Sequence, residues 1–222
     1  RHEIIYGLWV CKNKSEAKKG VTWDTTRLQQ LAKTFNTDTN GLRSIVYEGV
    51  CRQAINVYDT VNIDGGTMPA GVAALHYALF GTISEGTVPM KIKAKDLTKL
   101  LDDTYGQNTT QFLNAINRMV RLGFRVAKIW PPNISTIVDD KIQKHVKSLI
   151  EKFNQDILER EELLACGLEI ESQFSAYFNN EWDKLKKTIT QYLLDNLDED
   201  NGYMLMMKSG GKGDENNILQ IF

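Results

Sequence analysis

Cysteine is scarce in this chain of 222 residues, and its three copies, Cys11, Cys51 and Cys166, are far apart. No C-x-x-C spacing occurs, which argues against a structural zinc site and against a disulfide framework, and makes a reducing cytoplasm the default location. His2, His76 and His145 are equally scattered and suggest no metal cluster. No apolar run approaches the ~18 residues of a membrane span, and no signal-peptide pattern is present. An excess of charge is also missing: 27 Lys and Arg stand against 28 Asp and Glu, a net charge of -1. A free-standing nucleic-acid binder usually carries a basic surplus, so this balance fits better with one part of a larger assembly. There is no internal repeat and no low-complexity tract.

What is present is ordinary globular composition, 42% apolar and 25% charged, in a chain long enough for one large or two small cored domains. The chain starts at Arg1 on an apolar segment and stops at Phe222 inside another, Ile218-Leu219-Gln220-Ile221-Phe222. Those ends suggest a fragment or a product of chain splitting.

Residues 3–11 mix aliphatic and aromatic side chains and predict a buried strand. Thr25 or Thr26 is placed to cap a helix reaching Phe35, with Leu28, Leu31 and Ala32 on one face. Residues 44–47 and 54–61 alternate imperfectly and predict one or two strands. Asp64-Gly65-Gly66 is a turn. Residues 68–80 are helical in period, as are 94–105 and 109–122, the last stopped by Gly123. A short strand is expected over 124–129, and Pro131-Pro132 imposes an extended loop.

Residues 140–166 read as one long helix, with Ile142, Val146, Leu149, Ile150, Phe153 and Ile157 apolar. Gly167 breaks it. A second helix runs over 171–197, where Phe174, Phe178, Trp182, Leu185, Ile189, Tyr192 and Leu193 follow steps close to a coiled-coil seam. The pair predicts an antiparallel helical hairpin, each arm reaching ~40 Å. Residues 203–207 read as a buried strand or extended segment. The fold class expected is mainly α with small β elements (α+β), in four regions: 1–66, 67–139, the hairpin 140–197, and 198–222.

The stretch with most chemical content is Lys208-Ser209-Gly210-Gly211-Lys212-Gly213. Three glycines in four positions allow backbone conformations closed to other residues, so N–H groups can turn toward an anion, and the lysine adds a point charge. A helix beginning over Asp214 to Phe222 would add a phosphate-favouring N-terminus. The spacing is not that of a Walker loop. The same residues also serve as a plain turn between two elements.

This stretch resembles the S-G-A-[RK]-G motif of the largest, beta-prime type subunit of multisubunit DNA-dependent RNA polymerases, which a Q-I pair follows; here Gln220-Ile221 stand in that place. Other features fall in the family's order. Ile4-Ile5-Tyr6-Gly7-Leu8 is similar to its V-V-x-G-L segment, and Leu122-Gly123-Phe124-Arg125-Val126-Ala127 to its G-F-x-x-A segment. Ile134-Ser135 with Asp139-Asp140 is similar to its S-I…D-D element. Trp182 and Asp195-Asn196 stand where the family often has W and D-N, and Tyr203 to Met207 resembles its apolar segment before the glycine motif. The hairpin matches its rim helices.

The resemblance implies a segment lining the secondary channel by which nucleotides reach the catalytic centre. Lys212 would contact the phosphates of the incoming NTP, with Ser209, Gly210, Gly211, Gly213 and Gln220 supporting the loop. It further implies magnesium in the complete enzyme, other polymerase subunits as partners, DNA template and RNA in the assembly, and channel factors at the hairpin. A split subunit of the kind large bacteriophages encode is compatible with the ends.

Three departures stand out. Gly211 replaces alanine. The family's T-x-G-R arginine is absent, because Pro69-Ala70-Gly71 is followed by Val72. The metal motif N-A-D-F-D-G-D is also absent, and its nearest look-alike, Asn62-Ile63-Asp64-Gly65-Gly66, has one carboxylate where three are needed to hold magnesium. The segment therefore adds no nucleotide on its own. Two other readings remain open: a non-enzymatic scaffold built on the hairpin, and a free-standing phosphate or nucleotide binder using Lys212. Asp139-Asp140 reads as a helix cap or as paired carboxylates. Trp182 reads as hairpin core, Lys184, Lys186 and Lys187 as a solvated face, and Glu159-Arg160-Glu161-Glu162 as exposed or as a docking surface. The cysteines read as buried small apolar residues.

Overall fold

The computed structural model describes residues 2–14, 20–35, 41–83, 85–89, 92–131, 140–198 and 201–210. They are mainly helical with one small sheet, the fold class that the apolar periodicity predicts. The chain divides into two compact units: residues 2–131 with 208–210, and residues 140–198 with 201–207.

The first unit is built around α1 (His2–Asn13), α4 (Ala70–Phe80) and α6 (Thr109–Ile129). Residues 3–11 are therefore helix, not strand. The cause is burial on nearly every face: Ile5, Tyr6, Gly7, Leu8, Val10 and Cys11 are all buried. Such a helix has no polar stripe, and its apolar run cannot be told from a buried strand by period. α4 is apolar on all sides for the same reason, with Ala73, Ala74, Leu75, Ala78 and Leu79 fully buried.

Gly123 does not end a helix. α6 runs through it to Ile129, so residues 124–129 are helical. Gly123 is small because α1 crosses there: a Cβ on it would lie 2.8 Å from the Ile4 Cα. Asn108 caps α6 by accepting from the Gln111 N–H at 3.2 Å.

α2 (Thr25–Phe35) lies where expected, but its cap is Asp24, whose Oδ1 accepts from the Arg27 N–H at 2.8 Å. Residues 44–47, read as strand, belong to α3 (Leu42–Cys51), where Ser44, Ile45, Val46 and Tyr47 are all buried. Of the expected strand 54–61, only its end is strand, within β2 (Thr60–Ile63). β2 sits between β1 (Thr22–Trp23), parallel to it, and β3 (Gly66–Pro69), antiparallel to it. Asp64 and Gly65 form the β2–β3 turn with φ of 52° and 75°, the left-handed pair that a two-residue hairpin loop requires. α5 (Ala94–Tyr105) completes this unit and buries Leu97, Leu101 and Tyr105.

The second unit is an antiparallel hairpin. α7 (Asp140–Ala165) and α8 (Glu171–Asn196) join through a turn in which Gly167 has φ 72°. Tyr192 faces His145, and both Phe178 and Trp182 face Phe153. The base is closed by α9 (Gly202–Ser209): Tyr203 and Met204 pack with Ile142, Val146, Leu185, Ile189, Leu193 and Leu197. Residues 203–207 are thus helix, not extended. Here too an apolar segment with no polar alternation was open to either reading, and packing on the hairpin base decides it. Cys11 and Cys51 are buried as expected, whereas Cys166 is exposed in the hairpin turn.

Candidate functional site

α9 leads directly into the glycine-rich motif. Asn201 starts the helix, its Oδ1 accepting from the Tyr203 N–H at 2.9 Å. Ser209 is its last residue and is 1% exposed. Gly210 follows with φ 65°, a left-handed step that terminates a helix and that glycine takes without steric cost. Gly211, Lys212, Gly213 and Gln220 lie outside the described residues, as do Ile134, Ser135 and Asp139. Asp140 is the first residue of α7, where a carboxylate suits the positive helix end.

The hairpin aromatics form one ladder. Phe153 contacts Phe178 at 5.8 Å and Trp182 at 5.7 Å between ring centroids, and Phe178 stacks on Trp182 at 6.5 Å. Trp182 is nevertheless 41% exposed, and Lys186 Nζ lies 5.2 Å over its ring. Lys184 pairs with Glu181 at 2.5 Å and Lys186 with Asp183 at 3.6 Å, local surface pairs of small energetic weight. Near the tip, Glu159, Glu161 and Glu162 are exposed. Arg160 instead reaches the buried Glu169 at 2.7 Å and lies 4.2 Å over the Tyr177 ring.

A polar cluster that sequence reasoning missed occupies the first unit. Arg43 Nε is 2.7 Å from Asp64 Oδ2, an ion pair whose N–H does not lie along a hydrogen bond. Arg43 Nη1 is 2.9 Å from His76 Nδ1 and 3.0 Å from His76 Nε2. His76 Nε2 also lies 2.8 Å from the Gly86 carbonyl, so that nitrogen carries the proton and Nδ1 is left to accept from Arg43. Burial first, then the Arg43 charge, push the imidazole below its ordinary pKa, against the Gly86 hydrogen bond and Asp64. Arg43, Asp64, Tyr77 and Thr82 line a cleft of about 150 Å³. Nothing local could reveal this group, because its members come from α3, the β2–β3 turn and α4.

Two further acids have structural partners. Glu48 pairs with Arg121 at 2.5 Å and Arg52 at 3.1 Å. Burial alone would raise its pKa, but the hydrogen bonds and charges of these two guanidinium groups outweigh that and lower it. Asp59 is 2% exposed and accepts from the N–H groups of Val21 and Asn56 and from Trp23 Nε1, at 2.9–3.0 Å. It ties β1 to the turn before β2.

The donors around Asp64 do not fit a magnesium ion. The single carboxylate already faces the Arg43 guanidinium, whose charge opposes a cation, and no group of three His, Cys, Asp or Glu gathers among the described residues. Nor, among the described residues, is any helix long and apolar enough to cross a membrane.

No protein-family model matches the chain. It is 31% identical over 134 residues to the DNA-directed RNA polymerase subunit beta' of Caldicellulosiruptor saccharolyticus, covering 59% of this chain and 11% of that protein. It is 26% identical over 106 residues to the DNA-directed RNA polymerase subunit beta' of Acholeplasma laidlawii, covering 48% of this chain and 8% of that protein. The chain thus contains a beta-prime-like region and spans about a tenth of the length of the curated relatives it matches.

Proposed function

We propose that this chain is part of the catalytic subunit of a multisubunit DNA-dependent RNA polymerase and lines the secondary channel. The observation that carries the reading is its similarity to two bacterial beta' subunits. The collinear order of short motifs, from Ile4-Ile5-Tyr6-Gly7-Leu8 to Ser209-Gly210-Gly211-Lys212-Gly213, supports it. So does a helical hairpin at the position of the family's rim helices.

In this reading residues 1–66 follow the catalytic barrel, 67–139 form the pore and funnel, 140–197 are the rim helices, and 198–222 carry the substrate-phosphate loop. Lys212 neutralises and orients the triphosphate of the incoming nucleotide, which lowers the barrier as pyrophosphate leaves. A lysine does this as a point charge, without the fork of an arginine. Ser209 and Gly210 set where the loop departs from α9, and Gly211, Gly213 and Gln220 support it. Magnesium, DNA template and RNA are held by the rest of the assembly, which works in the cytoplasm of a cell or of an infected host. In the same reading the subunit is of the split, phage type, and channel factors dock at the hairpin.

Two measurements test this. Purified with its native complex, the chain should accompany a polypeptide carrying N-A-D-F-D-G-D; isolation without such a partner would favour the scaffold reading. In the assembled enzyme, Lys212→Ala should raise the apparent KM for nucleotides or slow addition, by roughly tenfold or more if the charge acts on the transition state. A nucleotide dependence equal to wild type would remove Lys212 from the substrate site.

A further inference from the structure

α6 buries one face and leaves a second apolar face partly exposed. Ala115, Met119, Leu122 and Val126 are buried, and the helix packs chiefly on α1 and α4, with lesser contacts to α3 and α5. Beside them runs another stripe: Leu113, Ile116, Val120, Phe124 and Ala127, spaced 3, 4, 4 and 3 residues apart. Leu113 is 52% exposed and Phe124 49%, and the other three are partly exposed. At 1.5 Å per residue the stripe is ~21 Å long, about the footprint of a four-turn helix. Helical anchors at this spacing are those that an amphipathic helix matches. Single exposed apolar residues need no explanation, whereas a continuous row points to a partner.

The charge around the stripe says what kind. α6 carries Arg118, Arg121, Arg125 and Lys128 and no Asp or Glu, in a chain whose net charge is -1. Two of these cations are committed within the unit. Arg118 donates to the Tyr77 and Ala78 carbonyls, and Arg121 pairs with Glu48. Arg125 and Lys128 are exposed and one turn apart beside Phe124, and among the described residues neither has an ion-pair partner. They leave positive charge on the solvent flank of the stripe.

We infer that this face of α6 docks an amphipathic α-helix of another polypeptide, with leucine-like anchors on one face and acidic residues on the flank that meets Arg125 and Lys128. A second copy of the chain fits poorly, since its own α6 would bring the same cations and no carboxylate to the seam. Nucleic acid fits poorly too: apart from Phe124 the stripe is aliphatic and offers no stacking ladder. The surface is independent of the polymerase reading, since it rests on α6 alone.

The probe is a pair of fluorescent helical peptides of ~20 residues, long enough for the stripe. Both have leucines at i, i+3, i+4 and i+7, one with Glu and one with Lys on the flanks. Binding to the full chain is followed by anisotropy. The Glu peptide should bind at least tenfold more tightly, and the preference should shrink with salt. Arg125→Glu with Lys128→Glu should reverse it. Leu113→Asp with Phe124→Asp should abolish binding of both peptides while the circular dichroism spectrum stays unchanged, because both side chains are at the surface. Equal binding of the two peptides, no binding, or indifference to these substitutions would overturn the proposal. So would sedimentation showing a dimer that the Leu113→Asp, Phe124→Asp chain loses, which would make a second copy the occupant.

Discussion

Gly7 and Gly123 face each other where α1 crosses α6: a Cβ on Gly7 would lie 2.9 Å from the Gly123 Cα and closer still to the Gly123 carbonyl. The neighbour is backbone, not the end of a flexible side chain, so it cannot yield without moving a helix. Replacing either glycine by alanine should gain ~1 kcal/mol of helix propensity. Forcing the crossing apart should cost more, ~2–3 kcal/mol or above. Gly7→Ala and Gly123→Ala should each lower the Tm of thermal unfolding by several degrees, ~4 °C or more. An unchanged or raised Tm would mean that the two helices do not cross this closely.

That crossing also shows why the sequence was only partly legible. Thr109 to Leu122 has a polar face and an apolar face, so it reads as a helix, and so do both hairpin arms. Gly123 reads as a stop because local sequence cannot distinguish a glycine that ends a helix from one that admits another helix. α1, α3 and α9 fail for a related reason: a segment buried on most sides loses the alternation by which helix and strand are told apart. The Asp64-Gly65 turn was legible because left-handed backbone needs particular residues. For the site, the glycine motif was visible as a local pattern, and α9 brings Ser209 and Gly210 to its threshold. Arg43, Asp64 and His76 were invisible, since they meet only after α3, α4 and the β2–β3 turn have packed.

The His76 imidazole gives a pH dependence whose sign follows from its lowered pKa. In the unfolded chain the ring titrates near 6.5, and in the folded chain below that. As pH falls through 6.5, the unfolded state takes up a proton that the folded state refuses, so stability declines until the folded-state pKa is passed; above 6.5 it is fully retained. His76→Gln keeps a donor for the Gly86 carbonyl and does not titrate. Between about pH 7.5 and 5.5 its unfolding free energy should fall less than that of the parent chain. Parallel curves for the two proteins would show that His76 is not held neutral.

Asp59 combines burial with three donors, and an amide cannot replace it. Asn offers one acceptor oxygen where the carboxylate offers two, and its NH2 group would face the N–H groups that Asp59 now receives from Val21, Asn56 and Trp23. Bonds to a charged acceptor are worth ~1.5–3 kcal/mol each, and a donor left unsatisfied costs a comparable amount. Asp59→Asn should therefore destabilise the first unit by ~2 kcal/mol or more, and Trp23 should show a changed indole N–H resonance. A chain as stable as the parent, with that resonance unmoved, would contradict the hub.

Arg160 and Glu169 couple the end of α7 to the start of α8, and their burial is unequal. The Glu169 side chain is 6% exposed, and its Oε2 has no hydrogen-bond partner among the described residues; the Arg160 side chain is 38% exposed. Removing the cation strands a buried carboxylate, whereas neutralising the carboxylate leaves an arginine that water can still reach. Breaking a fully buried pair costs about 3–5 kcal/mol, and the solvent contact of Arg160 reduces that here to ~2 kcal/mol. Arg160→Met should destabilise the hairpin by that amount, Glu169→Gln by less, and the double variant by no more than Arg160→Met alone. Urea unfolding of the four proteins, with amide exchange read over the first turns of α8, supplies the double-mutant cycle. Additive effects, with no coupling between the two sites, would show that Glu169 draws its compensation from elsewhere in the turn.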